Sequence, residues 1–211
     1  MAFCLLCGKP LDHATPPEHV LLDCLGGRKK SKRLLCRACN SRLGGTVDAA
    51  LARRVAPFRA AHHLPGGSRN RWPDGPPDPA PPPLDDDVAR AAIAKMGLLL
   101  WAQGLGAAEM ARPCWRAALA RLAEGVPPPP AATPLLVPAT PLNAEDFGPW
   151  AHRLWAFSDD EGRVLAGAAL YGQPGLSLEL CPAGAAPRRH LLLLADPRRP
   201  AHWAELGPRP I

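Results

Sequence analysis

Cys4-Leu5-Leu6-Cys7 and Cys36-Arg37-Ala38-Cys39-Asn40 are the two stretches on which the fold turns. In each, two thiols stand three positions apart, the spacing at which a tight knuckle offers both sulfurs to one cation, and two knuckles complete a tetrahedron. The intervening loop, residues 8–35, is longer than that of a compact zinc ribbon but uses the same principle. One C-x-x-C alone would suit a redox pair equally well. Two together point to a structural Zn²⁺ held by Cys4, Cys7, Cys36 and Cys39. The chain has seven cysteines, an odd number. The opening residues Met1-Ala2-Phe3-Cys4 have no basic stretch followed by an apolar one, so the protein is expected to be cytoplasmic, with thiols reduced and free to bind metal.

Charge singles out the same region. Residues 1–72 carry thirteen Lys and Arg against four Asp and Glu, whereas the remaining 139 residues carry twelve against fifteen. The whole basic excess of the +6 chain therefore lies in its first third, a field that attracts polyanions, and nucleic acid is the commonest of these in a cell. A membrane-spanning helix is excluded, because the longest nearly apolar run, residues 93–102, includes Lys95 and falls far short of the roughly 20 residues needed.

Proline divides the rest. Pro 28 and Gly 19 make up about 22% of 211 residues, below the level of a disordered low-complexity chain, so globular parts with extended joints are expected. The Pro-rich stretches 73–83 and 126–141 cannot sustain helix or sheet. They suggest five segments: a zinc-bound domain over 1–60, a linker over 61–84, a helical hairpin over 85–125, a second linker over 126–146, and a small antiparallel β region over 147–211. In the hairpin, Asp85-Asp86-Asp87 supplies an N-cap for a helix carrying Val88, Ala92, Met96 and Leu99 on one face, and Gly104 is expected to stop it. Pro113 opens a second helix bearing Trp115, Leu119 and Leu122. Apolar runs at 150–157, 164–171, 176–181 and 190–195, separated by turn residues, read as strands. Cys114, Cys181, His190 and His202 are scattered singly through these parts and form no catalytic pattern in the sequence.

Within the first domain the order Cys4-x-x-Cys7, Glu18-His19, Leu25-Gly26-Gly27-Arg28 and Cys36-x-x-Cys39-Asn40-x-x-Leu43-Gly44 resembles the zinc-containing HNH endonucleases, whose nuclease centre is the ββα-metal fold. The resemblance covers roughly residues 3 to 55. For those residues it implies a small zinc-stabilised ββα-metal HNH domain, and with the helical hairpin and the antiparallel sheet region read above the chain is expected to be α+β. It further implies metal-dependent hydrolysis of DNA phosphodiesters. His19 would be the base that activates water, with Glu18 and Asn40 holding Mg²⁺ or another divalent cation. Gly26 and Gly27 would turn the hairpin, Gly44 and Gly45 would end the Asn40 helix, and a further helix would start at Thr46. Arg28, Lys29, Lys30, Lys32 and Arg33 are expected to contact the phosphate backbone of DNA without reading bases. Two classes of function stay open: such an endonuclease, or a catalytically weak or inactive zinc-dependent nucleic-acid-binding or adaptor module. Residues 85–211 would serve a homodimer or a protein partner.

Overall fold

A computed structural model describes residues 2–65, 77–129, 143–182 and 188–209. The linker readings at 66–76 and 130–142 lie outside the described residues. The amino-terminal part begins with two small antiparallel hairpins, β1 (Ala2–Phe3) with β2 (Pro10–Leu11) and β3 (Glu18–His19) with β4 (Lys30–Ser31). Helix α1 (Arg37–Leu43) follows, then a π-helical turn (Gly44–Asp48), then α2 (Ala49–Ala61).

The expectation that Gly44 and Gly45 end α1 is corrected. Gly44 has φ −60° and ψ −39°, ordinary helical values, and the chain runs on through the π turn. Leu43, Val47, Leu51, Val55 and Phe58 are all buried. Their spacings of four, four, four and three make one apolar stripe, and its burial outweighs the weak helix propensity of two glycines.

Helix α3 (Asp87–Leu105) lies at the centre. Its N-cap is Asp86, whose carboxylate accepts the Ala89 N–H at 2.8 Å. Every residue from 91 to 102 is buried, so this is a helix covered on all sides. On one side α3 meets α2 and the π turn, and on the other it crosses a sheet. Gly104 does not stop it; the end comes at Gly106, whose φ of 85° suits a residue without Cβ. Short α4 (Ala107–Met110) and a 3₁₀ turn opening at Pro113 lead into α5 (Arg116–Glu124).

The sheet has five antiparallel strands: β5 (His152–Ser158), β6 (Val164–Ala169), β7 (Leu176–Cys181), β8 (His190–Ala195) and β9 (Trp203–Arg209), in the order β7-β6-β5-β8-β9. Strand β9 has no counterpart in the sequence reading. Its Pro208 is compatible with a strand because β9 is an edge, where a missing N–H breaks no inner ladder. Alternation sends Leu154, Ala156, Ala166 and Leu193 into the core under α3, and Trp155, Phe157, Leu165 and Leu192 into a second cluster on the opposite face.

The boundaries drawn at proline mark changes of local structure, but the core crosses them. Leu21, Leu43 and Val55 belong to the same buried cluster as Leu99, Ala166 and Leu193. The described end of the first Pro-rich stretch packs as a strap. The Asp78 N–H donates to the Pro57 carbonyl at 3.2 Å, and the Gln173 amide donates to the Pro82 carbonyl at 3.0 Å.

Two stability predictions arise from this core. A Cβ on Gly97 would lie 2.3 Å from the Cβ of Ala166, so α3 sits on β6 at glycine distance. Gly97→Val is expected to lower stability by about 1–3 kcal/mol through overpacking, read as a fall in the urea midpoint at unchanged slope. The second concerns His152, fully buried, whose Nδ1 accepts the Tyr171 N–H at 3.1 Å and must therefore be neutral. Burial pushes its pKa down to about 3. The charged form is thus favoured in the unfolded chain. This contribution is complete above about pH 6.5 and is lost as pH falls from there toward about 3, at about 1.4 kcal/mol per pH unit. Melting temperatures of His152→Asn should show a shallower acid dependence than the parent over that window; parallel curves would refute the assignment.

Candidate active site and metal centre

The four motif cysteines converge. The first knuckle hangs from the β1–β2 hairpin, where the Cys4 N–H donates to Lys9 O at 2.8 Å and Gly8 N–H donates to Cys4 O at 2.9 Å. The second is the start of α1, with Cys36 as N-cap and Cys39 in the first turn. A bond from Leu5 N–H to Leu34 O at 2.9 Å ties the knuckles together. All four Sγ atoms lie within 4.8 Å of one another, and Cys7 and Cys36 are 3.6 Å apart. These separations are too long for a disulfide and bracket the edge of about 3.8 Å that a tetrahedron with Zn–S bonds of about 2.3 Å requires. The Cys39 backbone N–H aimed at Cys36 pulls that thiol down to about 7, whereas burial raises the Cys39 thiol. The donor set fits zinc.

The β3–β4 hairpin lies between the two knuckles in sequence, and its register pairs Glu18 with Ser31 and His19 with Lys30. The turn between these strands is a 3₁₀ segment, Asp23–Leu25, closed by Gly26 at φ 81°. The next residue is Gly27, where a Cβ would fall 1.8 Å from Leu21 O, so both glycines of the predicted turn are required.

His19, a candidate base in the sequence, has a side chain 19% exposed, with Nε2 3.3 Å from Asp23 Oδ1. Arg28 approaches the same oxygen at 3.4 Å. Asp23 was not singled out by sequence reasoning. The available signal was its position four residues after the histidine, where a 3₁₀ turn can fold a carboxylate back onto the ring.

Glu18 sits differently from the expectation. It is 3% exposed, and Oε1 lies 2.8 Å from Nζ of Lys95, which α3 carries in from the other side of the core. The same ammonium donates to both carboxylate oxygens of Asp48, each at 2.7 Å. Burial raises the pKa of both carboxyls, and the Lys95 charge opposes it. Among the described residues Lys95 is the ion-pair partner of Glu18. Asn40 stands half-buried in α1, one residue beyond zinc-type Cys39.

Of the five basic hairpin residues, Lys30, Lys32 and Arg33 are exposed, Lys32 donating to His13 O at 3.0 Å. Lys29 is half-buried, pairs with Glu205 of β9 and lies 5.7 Å above the Trp203 ring, while Arg28 is turned to Asp23. Arg37 and Arg42 of α1 add exposed positive charge that sequence reasoning did not assign.

Elsewhere, burial pushes the Cys181 thiol up to about 12. His202 stacks on Phe147 at 4.5 Å, and His190 meets Phe157 edge-on. No helix among the described residues is long and apolar enough to cross a membrane.

A hairpin bearing a histidine is thus followed by a helix whose first turn completes a four-cysteine cluster. Comparison with known families agrees: residues 4–56, about a quarter of the chain, match the family model described as HNH endonuclease. No curated protein and no solved structure matches the chain.

Proposed function

We propose that the chain is an endonuclease that hydrolyses phosphodiester bonds in DNA. The observation carrying this reading is His19 beside Asp23 on the β3–β4 hairpin, which lies between the two cysteine knuckles in sequence and within the segment that matches HNH endonucleases. Hydrolysis requires a group that takes a proton from the attacking water, and neutral imidazole can do so near neutral pH. Asp23 faces the ring at Nε2, and its carboxylate would stabilise the imidazolium that forms when the ring takes the proton. A divalent cation such as Mg²⁺ would offset charge on the phosphate and departing oxygen. Asn40 is a hard oxygen donor suited to it, but Glu18 is already engaged by Lys95, so the expected ligand pair fits only in part.

The test is nicking of supercoiled plasmid by zinc-loaded protein with Mg²⁺ or Mn²⁺, against metal-free buffer, with retained zinc checked after chelation. An RNA duplex is the parallel substrate. Metal-dependent nicks support the reading; none under any metal overturns it. The engagement of Glu18 favours the second reading, a zinc-dependent nucleic-acid-binding module, which would bind DNA and leave it intact.

Exposure ranks the basic residues. Lys30→Ala, Lys32→Ala and Arg33→Ala should each reduce the slope of log K against log[salt] on duplex DNA by up to about 0.9, with little change in sequence preference. Lys29→Ala should change it less, because Glu205 already neutralises that ammonium. Equal slopes for all four variants and the parent would remove the hairpin from the interface.

A further inference from the structure

We propose that Lys95 is the resident cation of this site: its ammonium occupies the Glu18–Asp48 carboxylate pair in place of a divalent metal, and Glu18 positions the His19 hairpin and is not a metal ligand. The inference rests on the nuclease reading for the site's purpose but not for its test. An ammonium has three N–H donors and no acceptor. Lys95 has three carboxylate oxygens around it, Glu18 Oε1 at 2.8 Å and both oxygens of Asp48 at 2.7 Å, so its donor capacity is saturated.

The lysine is also captive. Its side chain is wholly buried, and it lies two residues before Gly97, where α3 is pressed on Ala166 of β6. It cannot swing to water without moving the central helix. A divalent ion on Glu18 would then sit within a few ångströms of a buried like charge, an arrangement that is repulsive wherever the medium is less polar than water.

The geometry also gives Glu18 a mechanical task. Glu18 and His19 are adjacent on β3, so pinning one carboxylate to α3 fixes the register from which the imidazole projects. The reacting group of the amino-terminal unit is thereby tied to the central helix of the carboxyl-terminal part. That is a physical reason for the two to form one core.

The experiment is Mn²⁺ binding to full-length, zinc-loaded protein, followed by the electron paramagnetic resonance signal of free Mn²⁺, with cleavage measured separately. Glu18→Gln keeps the side-chain volume and an oxygen for Lys95, so it should fold and leave the Mn²⁺ affinity within twofold of the parent. Lys95→Met frees the buried Glu18 and half-buried Asp48 carboxylates and should gain at least tenfold in Mn²⁺ affinity, a gain lost in the Lys95→Met/Glu18→Gln double variant. A tenfold or larger weakening by Glu18→Gln alone would overturn the inference, as would a folded Lys95→Met that gains nothing. Should Lys95→Met not fold, the Glu18→Gln result decides. Failure of the nuclease reading would appear instead as absence of cleavage in every variant, whatever the Mn²⁺ affinities.

Discussion

His19→Ala in zinc-loaded protein should slow plasmid nicking by about 10²- to 10⁴-fold, the range expected for loss of a positioned general base. Binding and folding should hardly change. The imidazole is partly exposed and faces Asp23, so its removal is expected to open little cavity. Zinc content should stay the same, because the four cysteines lie on β1–β2 and α1. Asp23→Asn provides the graded comparison. It keeps the shape and removes the carboxylate charge that faces the ring, so it should give a smaller loss than His19→Ala. Nicking by His19→Ala within about threefold of the parent would end the assignment of His19 as base.

How far the sequence could be read depended on whether the deciding contacts were local. The cysteine knuckles follow from spacing, because a C-x-x-C closes on a metal within one turn of chain, and the cluster forms where expected. The strands at 152–158, 164–169, 176–181 and 190–195 were legible from apolar runs between turns. Other features were set by tertiary contacts that spacing does not report. Gly44 and Gly45 are locally helix-breaking, yet the stripe from Leu43 to Phe58 buries against the rest of the core and carries the helix through. The environment of Glu18 was invisible for the same reason. Its partner Lys95 is 77 positions away, inside an apolar run where a lysine reads as an interruption, and its role appears only when α3 packs on the hairpin. Charge composition likewise located the basic region, but it could not show that Lys29 is neutralised by Glu205 from a strand that was not foreseen.

Removing the zinc-type centre should produce the largest loss of stability, and one core dictates that the loss will spread. Residues 2–65 bury a modest core of their own, and structural zinc in small sites contributes about 10–16 kcal/mol of apparent binding free energy at neutral pH. That rivals the whole stability of an ordinary domain. Cys39 is the position to change, since it is buried and lies in the first turn of α1, between the knuckle and Asn40. Cys39→Ser is expected to lose zinc and, with it, amide protection across α1, α2 and the β3–β4 hairpin. Were the Pro-rich stretch an insulating joint, protection in α3 would survive unchanged. The structure instead has Leu43, Val47 and Val55 in one cluster with Ile93 and Leu99, and Lys95 clamped to Glu18 and Asp48. Releasing the hairpin together with the π turn would take both Glu18 and Asp48 from a buried ammonium on α3, costly on the order of several kcal/mol. Protection along the first half of α3 should therefore fall together with that of α1, whereas the strand pairs of β5, β6 and β8 should be the last to open. Hydrogen exchange read by mass spectrometry, with native mass spectra showing one zinc per parent chain, checks both parts. Undiminished α3 protection in a zinc-free variant would show that the two halves fold independently after all. A well-folded parent with no bound zinc would remove the metal from the account of stability.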